Sequence, residues 1–88
     1  MISVRVYNDG DLPLRVTEVS ITWSGSDNLR HIHWRFEGDF WSGNDPGPTV
    51  TAGTNKIVPV GTYRTVEFEF AGSTFDGDLE DVEFEADC

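Results

Sequence analysis

Eighty-eight residues hold one domain and leave no room for a second, because a chain of this size buries only about 60 to 65 per cent of its unfolded surface. A hydrophobic content of 38 per cent, with three Trp and six Phe, supplies the apolar groups that disordered chains lack. Sixteen acidic residues against six basic ones give a formal charge of -10, which repels phosphate backbones and argues against nucleic acid as a partner. No apolar run approaches the roughly 18 to 20 residues that span a bilayer.

Period-two alternation runs through the chain, the pattern of strands with one face on a core. Ile2, Val4 and Val6 share one face of a first strand. Residues 8–13, with Asn8, Asp9, Gly10 and Pro13, then make a turn, because glycine tolerates positive φ and proline fixes φ. In the return strand Leu14 and Val16 lie on one parity, and Val19, Ile21 and Trp23 on the other. That phase slip near Thr17 and Glu18 predicts a β-bulge or a crossing between sheets.

Residues 24–28 form the next turn, and a third strand over residues 30–37 is expected to turn Ile32, Trp34 and Phe36 inward, with His31, His33 and Arg35 outward and Gly38 ending it. Phe40 and Trp41 precede a stretch over residues 42–48 so rich in Gly, Pro, Asn and Asp that it reads as a surface loop. Residues 49–51 and 56–60 read as two short edge pieces, with Pro59 allowed where no ladder donor is needed. The two clearest strands carry Val66, Phe68 and Phe70, and then Val82, Phe84 and Ala86 between acidic residues.

No window has an apolar stripe at helical spacing. The fold class is therefore all-β, a single immunoglobulin-like β-sandwich of about six or seven antiparallel strands over residues 1–88. Its expected core is Val4, Val6, Val19, Ile21, Ile32, Val66, Phe68, Val82 and Phe84.

The turn and strand signatures, Asn8-Asp9-Gly10 through Pro13, Phe40-Trp41-Ser42-Gly43-Asn44-Asp45, Gly61-Thr62 and Val66-Glu67-Phe68-Glu69-Phe70, resemble those of bacterial surface β-sandwich modules and of the globular heads of pilin-like proteins. The resemblance extends over residues 2–86. It implies an extracellular or cell-surface location and a structural role in a surface filament. In that family the head follows a hydrophobic helix, and no such helix precedes Ile2. Either that helix was cut away or it belongs to a separate polypeptide, and the resemblance implies as partner a separate hydrophobic helical pilin chain or further copies of this domain.

Asp76, Asp78, Glu80 and Asp81 gather carboxylates around Gly77, and hard oxygen ligands on a loop are what calcium takes. They are the candidate calcium ligands, with a solvated acidic turn as the plainer reading. Asp9 and Asp11 join them only if that hairpin lies at the same end of the sandwich. His31 and His33 project from one strand face and would chelate zinc with Glu37, but no other ligand pair accompanies them, and surface histidines beside Arg35 are the commoner arrangement. No cofactor is otherwise implied.

Phe40 and Trp41 cannot both point inward from one regular strand, so at least one is the candidate contact for a glycan or a protein partner. No nucleophile elbow, phosphate-cradling glycine loop or His–Cys pair is present. The sequence therefore points to a non-enzymatic assembly module, with a glycan- or calcium-binding module as the alternative. Unpaired strand edges offer assembly by strand addition, with Lys56, Pro59 and the acidic last strand limiting unwanted pairing.

Overall fold

The computed structural model describes residues 2–72 and 77–87. Among them are seven strands, β1 (Ile2–Tyr7), β2 (Leu14–Ser24), β3 (Leu29–Trp34), β4 (Asp39–Asp45), β5 (Thr49–Val58), β6 (Tyr63–Phe70) and β7 (Asp78–Asp87), and no helix. They form a four-stranded sheet in the order β1-β6-β3-β4 and a three-stranded sheet in the order β5-β2-β7. Every pairing is antiparallel, and the two sheets close on each other as a sandwich.

The central pairs, β3 with β6 in one sheet and β2 with β5 in the other, are those of an immunoglobulin-type sandwich. The outer strands differ from that arrangement. β1 lies beside β6 and β7 beside β2, so the first and last strands occupy each other's usual sheets. β1, β4, β5 and β7 are left as edges.

The core draws evenly on both sheets. Val16, Val19, Ile21, Trp23, Val50, Ala52 and Val58 face Val6, Leu29, Ile32, Trp34, Val66, Phe68 and Phe70. The Trp23 and Phe70 rings meet edge to face across the gap, with centroids 5.3 Å apart. Trp34 anchors the other end, where its indole Nε1 donates to Thr54 Oγ1 at 2.9 Å.

Most inward positions expected from parity are buried, although Val4, Val82 and Phe84 are only half-buried against this core. Ala86 is exposed near the end of β7. The phase slip in β2 is a bulge: the register shifts between Val16 and Glu18 against both neighbours, β5 and β7. Against β7 the extra residue is Thr17, whereas against β5 the extra residue lies on β5 between Gly53 and Lys56; Val16 and Val19 both reach the core with no exposure.

Three expectations are corrected. Residues 49–58 form one continuous edge strand rather than two pieces, because pairing with β2 carries it past Gly53 and the bulge. Of the loop expected over residues 42–48, residues 46–48 lie outside any strand but 42–45 belong to β4: the ladder to β3 holds Ser42 opposite His31 and Asp45 opposite Leu29 despite their turn-forming composition. The third strand stops at Trp34, where the Glu37 amide donates to the Trp34 carbonyl at 2.9 Å. That closes a turn with Phe36 at φ 67, and Phe36, expected inward, is 98 per cent exposed.

The molecule measures 41 × 24 × 19 Å, and its strand ends define two separated poles. The upper pole carries the turns over residues 8–13, 35–38 and 59–62. The lower pole carries those over residues 25–28 and 46–48, together with the start of β7.

Candidate functional site

Of the three turns at the upper pole, two are tied together by one buried residue. Asn8 is almost fully buried, and its side-chain Nδ2 donates to the carbonyls of Leu12 and Val58, each at 2.8 Å. Its Oδ1 accepts from the Gly10 amide at 3.0 Å. The Asn8 carbonyl takes the Gly61 amide, and the Asn8 amide donates to the Thr62 carbonyl, both at 2.9 Å. One residue thus fixes the 8–13 turn to the 59–62 turn.

On this clasped base stand Tyr7, Leu12, Phe36, Ile57, Val60 and Tyr63, six of the seven large apolar side chains exposed among the described residues. Only Leu79 lies elsewhere, at the start of β7. Scattered exposed apolar residues need no explanation, but a cluster at one end of a small monomer marks a contact surface. Phe36 adds a second sign, because a bulky residue in the left-handed region costs about 1 to 2 kcal/mol and its ring gains no burial to offset that.

Charge is segregated as well. Between the 35–38 turn, β5 and β6 lies a cleft of about 290 Å³ lined by Trp34, Arg35, Phe36, Lys56, Tyr63, Arg64 and Thr65. Three of the six basic residues of the chain stand in it. A fourth, Arg5, lays its guanidinium 4.5 Å from the Tyr63 ring centroid, in cation–π range. Lys56 contacts the Glu37 carboxylate, and burial, then the nearby Arg64 charge, push its ammonium below the ordinary value.

A ladder of polar contacts runs from the cleft along the outer face of the four-stranded sheet. Arg35 Nε lies 3.3 Å from Glu67 Oε2, and His33 Nε2 lies 3.0 Å from Glu67 Oε1. Asp39 then spans both histidines, with Oδ2 at 2.9 Å from His31 Nδ1 and Oδ1 at 3.4 Å from His33 Nδ1. Partial burial opposes ionisation of Glu67, but the hydrogen bonds from His33 and Arg35 outweigh it and hold the carboxyl below its ordinary value. With both its nitrogens facing carboxylates, His33 is a fixed strut that orients Glu67 and, through it, Arg35.

The two histidines do share a face, but Glu37, their expected third zinc ligand, turns to Lys56 instead. Among the described residues no group of three His, Cys, Asp or Glu side chains is arranged to hold a metal ion. Of the calcium candidates, Asp76 lies outside the described residues. Asp78, Glu80 and Asp81 are exposed positions within β7 and not in a loop: Asp78 stands opposite Ser24 and Asp81 opposite Thr22 of β2, and Glu80 is the extra residue where the register shifts. Asp9 and Asp11 sit in the 8–13 turn, at the other pole.

Phe40 and Trp41 are both half-buried and packed on the core. The register of β4 against β3 shifts between Ile32 and His33, placing Trp41 opposite Ile32 and Asp39 opposite His33. The extra residue, Phe40, lets two consecutive rings face inward, and its ring centroid lies 6.1 Å from that of Trp34. Neither ring offers the flat exposed platform that a sugar face requires.

Sequence reasoning missed the cleft itself, since nothing local joins residues 35, 56 and 64. The readable signal was the scarcity of cations in so acidic a chain. Among the described residues no helix is long and apolar enough to cross a membrane. In comparisons with known proteins the chain matches no family model, no curated protein and no solved structure.

Proposed function

We propose that this domain is a non-catalytic assembly module, displayed outside the cell or on its surface, that works by contacting another protein chain through its upper pole. The observation that carries this reading is the gathering of six exposed apolar side chains there, one of them held in a left-handed conformation. The alternation and turns that resemble pilin-like heads support a filament subunit. Its partner is then a separate hydrophobic helical chain or another copy of the domain.

Edge pairing is the weaker mode for this chain. β7 is an edge strand whose outer positions Asp81, Glu83, Glu85 and Asp87 are all exposed and acidic, and Lys56 lies on the opposite edge strand, β5. Charges on an edge suppress strand addition. Those two edges are thus guarded, which favours contact through side chains at the pole.

Native mass spectrometry of the tagged domain isolated from its producing cells tests the proposal. The domain should come with a second protein chain, and Phe36→Asn combined with Ile57→Ser should lose it while keeping the circular dichroism spectrum. A solitary monomer in both cases contradicts the reading.

A further inference from the structure

The cleft at the upper pole stands out electrostatically from the rest of the molecule. Among the described residues, Arg5, Arg35, Lys56 and Arg64 meet only two carboxylates there, Glu37 on Lys56 and Glu67 on Arg35. Arg64 donates to the Tyr63 carbonyl at 2.9 Å, and among the described residues no carboxylate comes within ion-pair range of it or of Arg5. A chain of net charge -10 has carboxylates to spare. Yet it leaves a local excess of positive charge beside two exposed aromatic rings, those of Phe36 and Tyr63.

Burial, and after it the nearby Arg64 charge, lower the Lys56 pKa even though Glu37 stands against its ammonium, so Lys56 and Arg64 crowd each other as like charges. A ligand that brings negative charge relieves that crowding. The guanidinium fork of Arg64 matches a carboxylate in geometry. The rings on either side match an apolar group next to it.

Resting on the reading that the pole is the contact surface, we propose that this cleft binds an acidic segment of the partner protein, seating an Asp or Glu carboxylate between Lys56 and Arg64 with a neighbouring apolar side chain against Phe36 and Tyr63. A free small acid fits less well. The cleft is open along one side and runs on into the apolar surface of the pole, so most of a small ligand would stay in water, whereas pockets for small molecules enclose them. A peptide segment covers both the cations and the rings. Contacts of this kind speed encounter and select partners by sign of charge.

The probe is an acetylated, amidated octapeptide with the sequence of residues 80–87, EDVEFEAD, in which acids alternate with apolar groups. In two-dimensional NMR of the intact domain it should shift the resonances of Phe36, Tyr63 and the Arg64 side chain. The same peptide with Gln and Asn for its acids should bind about tenfold more weakly or worse, as should the Lys56→Gln, Arg64→Gln double variant, since each loses charge-assisted hydrogen bonds. Arg30→Gln, on the lower half of the sandwich, should leave binding unchanged. Raising salt from about 50 to about 500 mM should weaken the acidic peptide far more than the neutral one.

Equal binding of the two peptides, shifts confined to residues outside the cleft, or no binding at all overturns the carboxylate assignment. The reading of the pole as the contact surface has its own readout. A photo-reactive phenylalanine analogue at position 36 that captures a protein partner, while the acidic peptide fails to bind, leaves that reading standing and removes only the acidic segment.

Discussion

The side-chain amide of Asn8 donates to the carbonyl of Val58 at 2.8 Å across fifty residues of chain, and the same amide holds the Leu12 carbonyl. Asn8→Ala removes a buried group that satisfies two carbonyls and one amide. Leaving such groups without partners costs about 1 to 3 kcal/mol each when they stay dry. With water reaching part of the turn, the expected loss is about 2 to 3 kcal/mol by urea denaturation. Amide exchange at Gly10 and Gly61 should speed up before the strands do. A loss of a few tenths would mean that the two turns do not depend on this clasp.

Phe36 should be a residue the fold would do better without. At φ 67 the position suits glycine or asparagine, and a ring that is 98 per cent exposed adds little packing. Phe36→Asn is expected to raise stability by about 1 kcal/mol, which in a domain of this size raises Tm by about 4 to 8 °C. The same variant should weaken partner contact, giving opposite signs in the two measurements. A drop in Tm would show that the ring packs and is not held out for contact.

Glu67 sets part of the acid limb of stability. Its folded carboxyl lies below the ordinary value of 4.5 because the hydrogen bonds from His33 and Arg35 outweigh its desolvation. A group whose folded pKa is depressed stabilises fully above its unfolded pKa and loses that contribution as pH falls through the folded value. Stability measured from pH 6 downward should therefore begin to fall near the ordinary carboxylate range. Glu67→Gln, less stable at neutral pH, should show a shallower fall. Parallel acid limbs for the two proteins would remove Glu67 as the cause.

Gly47 carries a positive φ of 93, and a Cβ there would stand 3.0 Å from Cζ2 of Trp23, a ring that is 1 per cent exposed. Gly47→Ala combines backbone strain with displacement of a core indole, so about 1 to 3 kcal/mol should be lost. Near-ultraviolet circular dichroism should change with it. Gly53→Ala is the contrast, because open space surrounds its Cβ position, and it should be near neutral.

What the sequence made legible follows from how local each signal is. Strands such as β6 announced themselves through Val66, Phe68 and Phe70, because burial on one face imposes a period of two. The β2 bulge was readable because Val16 and Val19 break that period within one strand. The end of β3 was hidden. Gly38 looked like the turn, yet the chain bends two residues earlier with Phe36 in the conformation that glycine usually takes. Composition misled at residues 42–45, where backbone pairing with β3 overrides weak strand propensity. Of the site, single residues were visible but their meeting was not: Arg35, Lys56 and Arg64 lie on three separate parts of the chain and come together only through the packing of β3, β5 and β6.

The upper pole is proposed as the surface this domain uses. The most direct test places a photo-reactive phenylalanine analogue at position 36 or at position 79, the exposed apolar site outside that pole, and irradiates the domain in its producing cells. Position 36 should give a defined crosslink to a protein chain, lost when Lys56 and Arg64 are both changed to Gln, and position 79 should give none. A crosslink from position 79 with none from position 36 would contradict the proposal.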